Sequence, residues 1–192
     1  MFLDILGNNL KEVSEMKIVV KRISTMLIVG LIVTIVVYPI LHELGHSIVA
    51  ILFGAEVLEF NIFPYPNVLC NIKSVSSTGI IAISIAGCAF PILFVVKSPS
   101  KFIGWYTCFT IRWVCVLSYL ISIVSVILFQ LDMPVENEDI TRALIEKPEY
   151  AFEYLMLYLV LTIIIILLIV KSNPTEHLIK QVIKKKKSEC SH

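Results

Sequence analysis

The chain has 192 residues, 57% of them hydrophobic and 16% charged, with a formal net charge of +1. Soluble domains average roughly 45–50% apolar and about 25% charged residues, so the composition excludes a soluble globular module and describes an integral membrane protein of one domain. A net charge this close to zero offers no argument for nucleic-acid binding. The cysteines (Cys70, Cys88, Cys108, Cys115 and Cys190) contain no Cys-x-x-Cys pair, which reads them as small apolar residues rather than as a disulfide or metal set.

Residues 1–22 place Phe2, Leu3, Leu6, Leu10 and Val13 at helical spacing between charges. They lack the compact apolar core of a cleavable leader, and the pattern predicts an amphipathic helix lying on the membrane surface. Lys17, Lys21 and Arg22 then flank a first span predicted over residues 24–53. That run exceeds the roughly 20 residues a span requires. Pro39 interrupts it and predicts a kink, and Gly54 ends it.

The last third of this span carries His42-Glu43-Leu44-Gly45-His46, an H-E-x-x-H motif. Histidines four apart share one helix face, so both imidazoles can reach one metal ion, and the intervening glutamate can take a proton from water at that ion. Charged or polar groups at this depth cost on the order of a few kcal/mol each, and a chain keeps them where they are paired, coordinated or working. Gly45 reads either as a point of close backbone approach at the site or as an ordinary packing residue.

Beyond the motif, Glu56-Val57-Leu58-Glu59-Phe60-Asn61-Ile62-Phe63 has strand-like content and Pro64-Tyr65-Pro66-Asn67 has turn chemistry. This stretch is either an interfacial loop or an extended segment beside the site that pairs with a peptide through its edge. A second span is predicted over residues 77–96, where Gly79 and Gly87 permit close helix contact and Pro91 permits a kink. A third lies within Phe102–Gln130. Arg112 there either snorkels from a long tilted helix or marks an interfacial stretch that ends near Trp113, in both cases as a structural group. Residues 131–149 form an acidic connection, and a fourth span is predicted over residues 150–170. Asn173-Pro174 reads as the cap and first turn of a surface helix, and the lysines at 184–187 suit anionic lipid headgroups rather than nucleic acid.

The expected fold is therefore an all-α integral membrane protein with about four transmembrane helices, a short strand-like insertion after the first span, and amphipathic surface helices at both ends. Its segments are 1–22 on the membrane surface, 23–170 within the membrane, and 171–192 as a basic cytoplasmic tail. Both ends and the Lys97–Lys101 connection are basic, so the positive-inside rule puts the termini in the cytoplasm of a multi-pass cell-membrane protein. It puts the motif end of the first span and the acidic 131–149 connection together on the outer side.

That placement bears on the third metal ligand, since a catalytic zinc site commonly has three protein ligands and one open position. Asp139, in Asn137-Glu138-Asp139-Ile140-Thr141, is the first candidate, although aspartate also serves as a helix N-cap in such a place. Asp132, in Leu131-Asp132-Met133-Pro134, is the second, followed by Glu138, Glu136 and Glu153. His177 and His192 lie in the tail and read as surface residues.

These features resemble the site-2 protease family of intramembrane zinc metalloproteases, in the form of a small bacterial-type member. The resemblance rests on H-E-x-x-H in a membrane helix and on an aspartate near the start of a later one. In the family that aspartate often sits in Asn-Pro-Asp-Gly or Leu-Asp-Gly. Asn137-Glu138-Asp139-Ile140 matches the first at two of four positions and Leu131-Asp132-Met133 the second at two of three, neither with the glycine. The strand-like stretch after the motif is similar to the membrane-associated strands of the family. The resemblance covers the first span through the start of the fourth. It implies a Zn²⁺ held by His42, His46 and Asp139, Glu43 as the general base, a membrane-spanning protein or peptide as substrate, and a site opening towards the cytoplasm. This last implication differs from the charge-based topology. Two other functions fit the same residues: a non-catalytic zinc-binding membrane protein, and a transport or scaffold protein with a buried His/Glu network.

Overall fold

A computed structural model describes residues 2–64, 66–135, 138–172 and 176. Helix α1, Phe2–Ile32, runs without a break through the predicted surface segment into the first span. The expected boundary near residue 22 is absent because nothing between Glu15 and Ser24 interrupts helical backbone: the stretch contains neither glycine nor proline. A π-helical segment, Val33–Val37, joins α1 to α2, Tyr38–Leu52, and Tyr38 donates its backbone N–H five residues back to Val33. The sequence expectation at Pro39 was a kink. At that place there is a one-turn widening immediately ahead of the proline, which has no N–H to donate and crowds the carbonyl one turn back. Gly54, with φ +78°, ends the helix in the left-handed region, as expected.

Two antiparallel strands follow, β1 (Glu56–Asn61) and β2 (Asn67–Asn71). Glu56 pairs with Asn71, Val57 with Cys70, Glu59 with Leu69 and Asn61 with Asn67, and a bulge lies between Val57 and Glu59. The sequence reading put strand character on the first half alone. A lone strand would leave its backbone groups unpaired, and residues 67–71 supply the partner. Cys70 accordingly sits in a strand.

Among the described residues, three helical stretches are long and apolar enough to cross a membrane: Val19–Leu52, Phe102–Gln130 and Pro148–Lys171. The predicted second span is shorter than expected. Helix α3, Ser77–Leu93, has 17 residues, about 25 Å at 1.5 Å per residue against a hydrocarbon core of about 30 Å. It packs along α2 and exposes little of itself. Ser76 caps its start through Gly79 N–H at 3.2 Å.

Helix α4 spans Phe102–Gln130 as one piece. Arg112 neither snorkels nor marks a boundary. It is 2% exposed and donates to the Val95 carbonyl just past the end of α3 (Nε, 3.0 Å) and to the Leu168 carbonyl (Nη1, 3.4 Å). A short helix α5, Asp139–Glu146, and a turn of 3₁₀ helix, Pro148–Tyr150, lead into α6, Ala151–Lys171, close to the predicted fourth span. The core between α4, α5 and α6 is built from Tyr119, Ile140, Leu144, Tyr154, Tyr158 and Ile165, each at most 1% exposed. Ile23, Leu27, Leu31 and Ile35 on the first helical stretch, and Ile163, Leu167 and Val170 on α6, are exposed, as on a helix that faces lipid. The expected carboxy-terminal helix, with Asn173-Pro174 and the lysines at 184–187, lies outside the described residues. The free cysteines Cys70, Cys88, Cys108 and Cys115 follow the reading of them as unpaired, partly or fully buried residues.

Candidate metal centre

Helix periodicity puts His42 and His46 one turn apart on the face of α2 that meets α3. The two helices approach closely because glycines stand at the contact. A Cβ added at Gly45 would lie 2.5 Å from the Ala86 carbonyl oxygen and 2.7 Å from Phe90 Cβ. One added at Gly87 would overlap His46 Nε2 and lie 2.8 Å from both Cε1 and Nε2 of His42. Gly45 is thus a point of close backbone approach, and Gly87 keeps open the volume next to both imidazoles.

The ring of His46 has a defined orientation. Its Nδ1 lies 2.6 Å from the Ile83 carbonyl oxygen, which only accepts, so Nδ1–H donates. In the neutral ring Nε2 then presents a lone pair. That atom is 3.1 Å from His42 Nε2 and 3.0 Å from Asp139 Oδ2, and His42 Nε2 is 3.1 Å from the same oxygen. On its other side, His42 Nδ1 has Cys88 Sγ at 4.0 Å, and that sulfur is 3.2 Å from Ser118 Oγ.

Asp139 reaches this point from the first residue of α5. Glu138, not Asp139, is the cap of that helix: its Oε2 accepts from the N–H groups of Ile140 (2.9 Å) and Thr141 (3.1 Å), and its Oε1 accepts from Ser122 Oγ on α4 (3.1 Å). Burial pushes the Asp139 carboxyl up, but when the imidazoles are protonated the hydrogen bonds from His42 and His46 and their positive charge outweigh it and hold the group well below the usual carboxylate range.

His42, His46 and Asp139 therefore bring one ligand atom each into a cluster that can hold a metal ion. The triangle has edges of 3.0 to 3.1 Å, close to the roughly 3.3–3.4 Å between ligands of a tetrahedral ion bound at about 2.0–2.1 Å. Two imidazoles and a carboxylate suit zinc, and a ligating histidine generally donates its other N–H to a carbonyl or carboxylate, as His46 does to Ile83. The residues present thus fit the ion by donor type, spacing and outer support.

Glu43, one residue after His42, lines a cavity of about 650 Å³ together with His46, Asp139, Ser84 and the β2 residues Val68 and Cys70. The Val68 backbone amide is directed at its carboxylate. The remaining candidates are elsewhere. Asp132 is exposed, with φ +57°, in the left-handed turn that ends α4, a conformation aspartate tolerates better than most residues. Glu153 is exposed in the first turn of α6. Glu136, His177 and His192 lie outside the described residues. Sequence reasoning missed the roles of Ile83 and Glu138. The first acts through its backbone carbonyl, which carries no residue signature, and the second had the acidic, cap-compatible position but was read only as a lesser ligand. Comparison with family models, curated proteins and solved structures finds no match to this chain.

Proposed function

We propose that the protein is a zinc-dependent intramembrane endopeptidase of the site-2 protease type, acting on membrane-spanning proteins or peptides. The observation that carries this reading is the convergence of His42 Nε2, His46 Nε2 and Asp139 Oδ2 in a cluster beside Glu43 and an open cavity. His42, His46 and Asp139 would hold a Zn²⁺, which when bound would supply Lewis acidity and make water at the site far more acidic than in bulk. Glu43 accepts the proton of the attacking water and returns it to the departing amine, the work of a general base and then a general acid. One edge of β2 pairs with β1, and the strand lines the cavity; this supports binding of a locally unwound substrate as an added strand.

The mutual contacts of His42, His46 and Asp139 also describe a proton-sharing network without metal, as in a transport or scaffold protein. Zinc content separates the readings. Detergent-purified protein reconstituted with zinc is expected to hold near one ion per chain. Glu43→Gln should keep that zinc and lose cleavage of a transmembrane substrate by at least a hundredfold, whereas His46→Ala should lose both. No zinc in the wild type after reconstitution supports the network. Zinc retained in a Glu43→Gln protein that cleaves normally overturns the assignment of the base.

A further inference from the structure

We infer that Glu138 is the positioning residue of the metal centre: with Ser122 it anchors α5 to α4 and thereby sets the place of the Asp139 carboxylate. The inference rests on the metal reading above and adds a residue that does not touch the ion.

Asp139 is the first residue of an eight-residue helix. A helix this short has little stability of its own, since nucleation is costly and few internal bonds follow. Its first N–H groups have no partner inside the helix. Glu138 closes two of them with one oxygen, accepting from Ile140 and Thr141, and uses the other oxygen to accept from Ser122 Oγ at 3.1 Å. Ser122 is 3% exposed, in the last third of the long apolar helix α4. The carboxylate thus has three donors, two on the element it starts and one on a neighbouring span. The next residue along the chain is the ligand. Ile140 and Leu144, both 0% exposed, seat the opposite face of α5 in the core. Core packing fixes the depth of α5, and the Glu138 clamp fixes the position of its first turn, which carries Asp139 to within 3.0 to 3.1 Å of both imidazoles.

Outer partners of metal ligands typically contribute 10–100-fold to affinity. The test uses full-length protein in detergent with Co²⁺ as the probe, since its visible absorption reports both uptake and ligand geometry. Glu138→Ala is expected to weaken Co²⁺ binding by about 10- to 100-fold and to shift the absorption band. Glu138→Gln keeps an acceptor for the two amides and a side-chain contact to Ser122, and is expected to bind within about threefold of wild type. Ser122→Ala removes only the interhelical anchor and covers the case in which Glu138→Ala fails to fold; it is expected to give an intermediate loss. A merely structural cap would lower thermal stability in Glu138→Ala and leave the band of the bound ion in place. Wild-type affinity and spectrum in folded Glu138→Ala, or in Ser122→Ala where the first variant is not folded, overturn the inference while the metal reading stands. A wild-type protein that takes up no Co²⁺ or Zn²⁺ overturns the metal reading, and the inference with it.

Discussion

At residue 87 the chain can carry nothing larger than glycine without moving a ligand. An added methyl group would lie 2.8 Å from two atoms of the His42 ring and overlap His46 Nε2. On the proposed metal reading, Gly87→Ala is therefore expected to reduce metal affinity by about tenfold or more, with about 1–3 kcal/mol of overpacking. Gly30→Ala, where the added carbon meets Tyr106 Oη at an ordinary 3.4 Å, should change neither. Zinc titration of both variants checks this, and unaltered binding by Gly87→Ala would show that the imidazoles relax at little cost. The two histidines and Glu43 were legible in the sequence because a four-residue spacing has one consequence on a helix. Asp139 was legible as the first of several acidic candidates in the connection, and the structure brings it to the two histidines. What separates it from Asp132 is conformational: Asp132 occupies the left-handed turn at the end of α4, while the residue before Asp139 caps a helix aimed at the imidazoles.

Among the elements, α3 depends on its neighbours at both ends. Ile83 and Gly87 face the two imidazoles along its middle, and beyond its last turn the Val95 carbonyl is held by Arg112. The same guanidinium reaches the Leu168 carbonyl on α6, so one side chain joins α3, α4 and α6 at the end away from the metal centre. Arg112→Leu is expected to cost about 1–3 kcal/mol for each carbonyl left without a donor, read as a lower melting temperature in detergent. Arg112→Lys should recover only part of the loss, because a single ammonium cannot reproduce the guanidinium fork. Normal stability of Arg112→Leu would mean that water or lipid satisfies these carbonyls. Hydropathy located α4 and α6 closely but gave no view of this contact, since a charge within an apolar run has the same appearance whether it faces water or a helix end. The length of α3 was overestimated for a related reason: Phe94, Val95 and Val96 continue the apolar run after the helix has stopped.

For the whole molecule, the motif end of α2, the hairpin, α5 and the start of α6 share one end, as the contacts of Asp139 with both histidines require. The alternation of basic and acidic connections anticipated that grouping. Which face of the membrane this end meets is where the positive-inside rule and the family resemblance differ, and a labelling experiment decides between them. Phe63, 88% exposed at the hairpin tip, and Lys17, exposed on α1, are suitable positions. On the charge rule, Phe63→Cys reacts with a membrane-impermeant maleimide in intact cells, and Lys17→Cys reacts only after lysis, each measured against the unmodified chain. The reverse pattern would place the cavity towards the cytoplasm. The hairpin was only half legible, because pairing between residues 56–61 and 67–71 depends on a turn whose geometry composition does not specify.

His42 and Asp139 lie 97 residues apart in the chain, yet their ligand atoms are 3.1 Å apart. During synthesis the two imidazoles reach the membrane long before the carboxylate is made. A nascent or truncated chain ending before residue 139 carries the H-E-x-x-H motif without the third member of the cluster. On the proposed metal reading, the cluster stays incomplete until α5 has been made and has docked against α2.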